Sequence, residues 1–371
     1  MDFTLEYIRA EDKQTNHVCI GPVRCFPPRL LGACPVSLTA AFVIAVPRQV
    51  NKVLNMLSCW FAHREENVKG NYTEEFRRHA VRMMDYLWAA EDGVKMQGYN
   101  GSQLWDTAFA AQVIPPLRKA FQYIKDTQIE RNEENFRYWY RVVSKGTVAF
   151  YFALCIPFMT LPGVPLPPPG GWPFSTGDHG WPITDCSAEG LKVAVLMMKA
   201  AGVVPESELI PMHKLEDCVT VILNLQDGGW ASYEDQRGGP WYEAFNPAEV
   251  FGDIMIDYSY VECSAACLNA LKAFQSVNPN HRKAEIDEAL HRGGEFIRSQ
   301  QRPDGSFYGS WAVCMTYGTW FGVQGMLATG EAVNSSRMRR VAHYMMTKQR
   351  SDGGWGEDVR ACATKQYEQI E

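Results

Sequence analysis

LNLQDGGW at 223–230, SQQRPDGSF at 299–307 and TKQRSDGGW at 347–355 decide the fold. Each stretch is the end of a helix, then a glutamine (Gln226, Gln301, Gln349), then an Asp-Gly turn, then an aromatic residue. The glycines relieve the left-handed turn that follows a helix. The spacing predicts that the aromatic packs back on its own repeat. It also predicts that the glutamine amide satisfies orphan backbone groups at a neighbouring helix end. Three matching punctuations are more than three ordinary helix stops would produce, and repeated helix pairs build stacked or closed helical arrays.

The sequence between the repeats agrees. Cys263, Cys267, Ala270 and Phe274 follow helical spacing along one face, and Val341, Tyr344, Met345 and Lys348 trace a second stripe. Residues 188–201 form a third apolar helix behind Pro182. Period-two alternation is short wherever it occurs, so the expected class is all-α. Two segments break the pattern: 24–50 and 147–170 are apolar, Pro-studded and nearly free of acidic residues. Their apolar cores, 36–46 and 148–161, are too short to cross a bilayer.

Composition narrows the function classes. The 371 residues carry 36 Lys+Arg against 42 Asp+Glu, a net charge of -6. That acidic balance excludes a phosphate-neutralising nucleic-acid binder. With 46% hydrophobic and 21% charged residues the chain fills a sizeable core, and its length allows two or three domains. No uninterrupted apolar run reaches the roughly 18 residues of a membrane span. The N-terminal MDFTLEYIRAEDKQ lacks the basic and apolar regions of a secretory leader. Eleven cysteines, an odd number without CxxC pairs, read as buried thiols of a reducing compartment. No zinc-ligand spacing is present.

The densest chemical signal is GWPFSTGDHGWPITDCSAE at 171–189, which sets Trp172, Phe174 and Trp181 around Asp185. An aromatic-lined apolar site with one acid suits protonation of a neutral hydrocarbon and stabilisation of the resulting cation by ring faces. Each such contact is worth ~2 kcal/mol or more when dry. Taken alone, Asp185 reads more readily as the N-cap of the helix over 188–201, and each aromatic as ordinary core.

Longer motifs change that balance. DCSAE at 185–189 resembles the DCTAE signature of the oxidosqualene cyclases, and the Gln/aromatic repeats resemble that family's QW motifs. MQGYNGSQLWDTAFA (96–110), HGWPITDCSAEGLK (179–192), NPAEVFGDIMIDYSYVEC (246–263) and YGSWAVCMTYGTWFGV (308–323) extend the likeness in the same order, most closely to plant members. The resemblance implies two α/α barrels with a cavity between them. It implies that Asp185 protonates the epoxide of 2,3-oxidosqualene and that Cys186 and Cys263 hydrogen-bond the carboxyl and sharpen its acidity. It makes Trp105, Phe174, Tyr233 and Trp311 cavity aromatics that stabilise successive cations. Tyr99, His179 and Ile183 match positions typical of cycloartenol-forming members, where they place the base or water that ends the reaction. No cofactor or metal is implied. The partners implied are the lipid substrate and one leaflet of the endoplasmic reticulum membrane or a lipid droplet.

A single assisted acid fits an epoxide, whose oxygen is far more basic than an alkene. The related squalene-hopene cyclases carry an aspartate-rich motif instead. Protein prenyltransferase β-subunits share the barrel but need an Asp/Cys/His zinc set. Asp257 near Cys263 finds no downstream histidine in a matching motif.

Against the family pattern the chain reads as a fragment, with residues 1–95 as the end of the first barrel and 96–371 as a partial second barrel. The MWCYCR-like part of the first barrel and everything after Trp355 in the second are missing, and the connection at 112–117 is shortened. The 24–50 segment interrupts what resembles GPVNKVLNMLSCW, and 147–170 splits SKGGWPFST after Gly146. Both read as translated intron sequence. A chain lacking helical neighbours on both sides exposes apolar faces, and weak or no cyclase activity is expected of it.

Overall fold

The computed structural model describes residues 2–18, 48–91, 93–96, 101–113, 118–131, 170–200, 202–233, 239–245, 252–253, 255–311 and 313–370. Most of segment 24–50, all but residue 170 of segment 147–170, residues 114–117 and Tyr99 lie outside the described residues. The helices are α1 (Asp2–Thr15), α2 (Arg48–Ala62), α3 (Arg64–Asn67), α4 (Glu74–Arg82), α5 (Gln103–Val113), α6 (Arg118–Asp126) and α7 (Thr184–Lys199). There follow α8 (Met212–Asn224), α9 (Val261–Gln275), α10 (Lys283–Gln300), α11 (Cys314–Ala328), α12 (Ser336–Lys348) and α13 (Ala361–Thr364).

One element departs from the all-α expectation. Strands β1 (Leu87–Ala90) and β2 (Gly93–Met96) form an antiparallel ribbon with Leu87 opposite Met96 and Ala90 opposite Gly93. Four-residue strands are too short to show alternation in sequence. The signal that was present is the turn: Gly93 sits at φ +130°, a conformation that glycine adopts without penalty.

From α5 onward the helices alternate between two rows. Helices α5, α7, α9 and α11 pack side by side as one row, and α6, α8, α10 and α12 lie against it. The sequence dictates the sorting. Helix α11 is apolar all round and α9 is buried along most of its length, as suits a helix covered on several sides. Helices α6, α8, α10 and α12 each carry one apolar stripe. The face expected in α9 is present, with Cys263, Cys267, Ala270 and Phe274 all fully buried. No helix among the described residues is long and apolar enough to cross a membrane.

The repeats staple the rows together. The backbone N–H of the aromatic donates to a hydroxyl on the inner row: Trp172 to Ser187 on α7 (2.9 Å), Trp230 to Ser264 on α9 (2.9 Å) and Phe307 to Thr319 on α11 (3.0 Å). The indole N–H reaches back to the preceding outer helix, Trp172 to Ile124 O (2.7 Å), Trp230 to Ile222 O (2.8 Å) and Trp355 to Met345 O (2.9 Å). The rings lie so close that a Cβ added to Gly190, Gly293 or Gly322 would meet Trp172, Trp230 or Phe307 within 2.6 Å.

The glutamines correct their expectation. Their amides donate to Ala289 O on α10 (Gln226, 2.8 Å) and Arg337 O on α12 (Gln301, 3.1 Å), well before the ends where helix carbonyls are orphaned. A carbonyl has a second lone pair, so Gln226 and Gln301 tie their turns to the next outer helix without competing with the helix ladder, while Gln349 donates to Gly353 O of its own turn (2.7 Å).

The same bonds expose a fourth repeat that the sequence conceals. Gln128 donates to Lys214 O on α8 (3.1 Å), and Ile129 N donates to Gly171 O (3.0 Å). The equivalent bonds join Asp227 to Gly229, Arg302 to Ser306 and Arg350 to Gly354. Gln128 and Trp172 are thus one punctuation, its turn opened by about forty intervening residues.

The N-terminal helices meet this array at the loop before Asp185. Gln14 donates to Gly180 O, and Arg82 pairs with Asp178 at 2.8 Å. Gly180 has φ +57°, and a Cβ there would stand 1.8 Å from Gln14 O, so the approach requires glycine.

Candidate active site around Asp185

Asp185 is the second residue of α7, not its N-cap, which is Ile183. Thr184 fixes the start of the helix, its N–H donating to Ser232 O (2.9 Å) and its hydroxyl to Ala231 O (2.5 Å). The Asp185 carboxylate turns instead to the N–H of Cys186 (2.8 Å). It also accepts from the thiols of Cys263 and Cys186. Its accessible surface is intermediate, yet it stands deep among protein atoms.

Burial dominates its titration and pushes the carboxyl up to about 6, against the stabilising pull of the Cys186 N–H and the two thiols. Neighbouring Glu189, itself buried and paired with Lys192 at 2.6 Å and Gln112 at 2.6 Å, raises it further. Henderson–Hasselbalch arithmetic leaves about a tenth of such a group protonated at pH 7. The thiols are neutral donors, because burial pushes Cys263 and Cys267 well above the usual thiol range. Cys263 also meets Ser232 Oγ at 3.5 Å, and Cys267 donates to Thr184 O at 3.6 Å. The result is a carboxyl held by weak neutral donors.

The aromatic residues expected around it are positioned in pairs. Trp105 on α5 and Phe174 are joined by the backbone, Trp105 N donating to Phe174 O at 3.4 Å. Tyr233 lies edge-on to Trp181, ring centroids 6.5 Å apart. Trp311 lies 5.4 Å from Tyr260. His179 and Ile183 are buried in the loop leading into α7.

Tyr317 and Glu262 escaped the sequence reading, and Asp257 was read there only against a zinc set. Tyr317 on α11 has its phenol raised by burial and then by the charges of Glu262 and Asp185. Asp257 accepts from Ser232 N (3.0 Å) and Tyr233 N (2.6 Å). Glu262 accepts from Ser310 N (2.7 Å) and Trp311 N (3.2 Å) through one oxygen. The only hint in sequence was two acids flanking a cysteine already singled out. Asp257 thus holds the Ser232–Tyr233 backbone with one oxygen on each amide.

One other group among the described residues has a metal-ligand composition. Asp12, Cys59 and His79 are buried, with ligand atoms within 4.8 Å of one another. Lys52 Nζ, a donor only, lies 2.8 Å from His79 Nδ1. That nitrogen therefore accepts, and Nε2 carries the proton that faces Asp12 at 2.9 Å. Burial pushes the Cys59 thiol up to about 12. In the cluster an imidazole links a buried ammonium to a buried carboxylate, and both ring nitrogens of His79 face a partner.

Comparison with known proteins accords with this geometry. Residues 164–371 match the squalene-hopene cyclase C-terminal domain. The chain is 42% identical to a cycloartenol synthase of Dictyostelium discoideum over 384 aligned positions, which take in 100% of this chain and 46% of that protein. It is 38% identical to human lanosterol synthase, covering 98% of this chain and 44% of the relative. An alpha-onocerin synthase of Lycopodium clavatum is 33% identical over 99% of this chain and 42% of its own length. The chain thus spans less than half the length of these relatives. The domain model covers more than half of the chain, including Asp185, Cys186, Cys263 and all four repeat aromatics, and on that ground the chain belongs to the oxidosqualene cyclase family.

Proposed function

We propose that this chain carries the acid-bearing part of a triterpene or sterol synthase site that cyclises 2,3-oxidosqualene. The observation that carries the reading is Asp185: a carboxyl raised by burial, held by two neutral thiols and one N–H, with aromatic residues on neighbouring elements. Protonated, it delivers its proton to the epoxide oxygen, the C–O bond opens, and the substrate's own double bonds close rings on the cation. Trp105, Phe174, Tyr233 and Trp311 then offer ring faces to the moving charge. Loss of one proton from carbon ends the cascade, so the reaction is an isomerisation and needs no cofactor. His179 and Ile183, with Tyr99, set which proton leaves and favour a cycloartenol-type product.

The organisation read from sequence, the end of one α/α barrel in 1–95 and part of a second in 96–371, belongs to the same proposal. So does collection of the lipid substrate from one leaflet of the endoplasmic reticulum membrane or a lipid droplet. Because the chain spans less than half of its relatives, it is expected to turn over oxidosqualene weakly or not at all as it stands.

The test is epoxide consumption in detergent micelles, followed by gas chromatography for the wild-type chain and Asp185→Asn. Any enzymatic consumption should fall at least about a thousandfold in the variant, the scale of losing a general acid. Equal rates well above buffer in both proteins would remove Asp185 from its role. No consumption in either would leave the reading of a catalytically inactive piece of a cyclase. Efficient cyclisation by the wild type would overturn the expectation of weak activity.

A further inference from the structure

We propose that Glu262 is a positioning residue that indexes the Trp311 ring to the acid, so that the first turn of α9 sets the distance between the proton donor and the cation it creates. The inference rests on the reading of the site given above and goes beyond it by assigning the residue that holds the aromatic strap.

Three observations converge. Glu262 is 1% exposed and aims Oε1 at two consecutive amides, Ser310 (2.7 Å) and Trp311 (3.2 Å). A carboxyl oxygen that accepts two N–H groups from one loop fixes both the position and the twist of that loop. Next, the loop is shaped for the contact. A Cβ on Gly309 would stand 2.9 Å from Glu262 Oε1, and one on Gly318 of α11 would stand 2.4 Å from Gly309 N. The strap is therefore pressed between the carboxylate and α11, where only glycine fits. Finally, the next residue along α9 is Cys263, whose thiol donates to Asp185. Adjacent residues on one helical turn thus hold the acid and the strap, and no flexible segment intervenes.

The chemistry gives this rigidity a purpose. A ring face stabilises a cation only over a short range, so the strap must stand where the charge arrives. Trp311 has its ring 5.4 Å from Tyr260, which is the residue that caps α9. The ring is thus supported from the same helix end that holds its backbone. Tyr233 is held by the same device, since Asp257 grips the Ser232–Tyr233 amides from just upstream. Residues 257–263 therefore present two carboxylate clamps and one thiol, aimed at two aromatic residues and the acid.

The experiment uses the whole chain and three variants: Glu262→Ala, Glu262→Gln and Glu262→Asp. Amide exchange at 310 and 311 reads the clamp without any ligand. Fluorescence titration with 2,3-oxidosqualene, and with a tertiary-ammonium analogue of the same hydrocarbon, reads neutral against cationic binding. The alanine variant should lose protection at both amides and bind the ammonium analogue about tenfold more weakly, the scale of one lost interaction, while neutral binding moves less than about threefold. Glutamine keeps an acceptor oxygen and should restore both properties to within about threefold, whereas the shortened aspartate should not. A purely structural role would weaken both ligands alike. Unchanged amide protection and unchanged ammonium preference in the alanine variant would overturn the proposal, as would failure of glutamine to rescue. A wild type that does not prefer the ammonium analogue would instead sink the reading of the site as a cation chamber, a failure the ligand-free exchange keeps separate from that of the clamp.

Discussion

Asp12 and Asp185 are the same residue in two buried clusters, and they titrate in opposite directions. Burial opposes ionisation at both. At Asp12, hydrogen bonds from His17 and His79 outweigh it and hold the carboxyl below its ordinary value. Behind His79 stands Lys52, fully buried, its ammonium donating to His79 Nδ1 and to His17 O. The lysine balances the aspartate, so the cluster is neutral with the carboxyl ionised. At Asp185 the contacts are thiols and one amide, the nearest carboxyls are Glu189 and Glu262, and the carboxyl rises to about 6. The difference is two imidazole partners at Asp12, one of them backed by a buried lysine, against weak neutral donors at Asp185. Strong donors keep a buried aspartate ionised; weak ones leave its carboxyl raised.

The comparison can be broken most severely at Lys52. Replacing it with methionine keeps the volume but strands the Asp12 charge and leaves His79 Nδ1 unpaired. The expected cost is about 3–5 kcal/mol of stability at neutral pH, read by denaturant unfolding. A loss below 1 kcal/mol would mean that the ammonium does not hold the cluster together.

The next effect concerns pH. The folded-state pKa of Asp185 is raised, so its favourable contribution is fully present below pH 4 and is lost as pH rises through about 6. Glu262, raised by burial to about 7, behaves the same way over a slightly higher window. Asp12 is lowered, so its contribution is present above the ordinary carboxylate value and is lost as pH falls through the folded value. Asp185→Asn should therefore be more stable than the wild type at pH 8 by up to about 3 kcal/mol, with the gain gone by pH 4. Unfolding midpoints across that range check it, and a pH-independent difference would refute the assignment.

The smallest effect sharpens the account of the thiols. Cys263→Ala removes one donor to the Asp185 carboxylate and should raise that carboxyl by about one further unit, while serine should leave it near its present value. A carbon-13 titration of the aspartate side chains reads this directly. No movement in the alanine variant would place the tuning elsewhere.

Much of this molecule was legible in its residues. Three Gln…Asp-Gly…aromatic punctuations announced a helical array because such turns leave few other conformations, and DCSAE marked the acid because its neighbours in sequence are its neighbours in space. Cys263 was legible only through resemblance, since seventy-seven positions separate it from Cys186 and periodicity places it merely on a buried face. The ribbon at 87–96 stayed hidden because its strands are too short to alternate. The fourth repeat stayed hidden because its halves, Gln128 and Trp172, are separated by a long stretch and matched only by their hydrogen bonds.

The amino-acid sequence by itself determined which residues form helices and where the punctuated ones stop, because those properties are local and depend on side-chain type and spacing. The tertiary structure alone decided the protonation chemistry: that Asp12 meets two histidines, one backed by Lys52, while Asp185 meets thiols, and that Glu262 and Asp257 grip the loops bearing Trp311 and Tyr233. A charge responds to whatever lies within a few ångströms of it, and those neighbours come from remote parts of the chain.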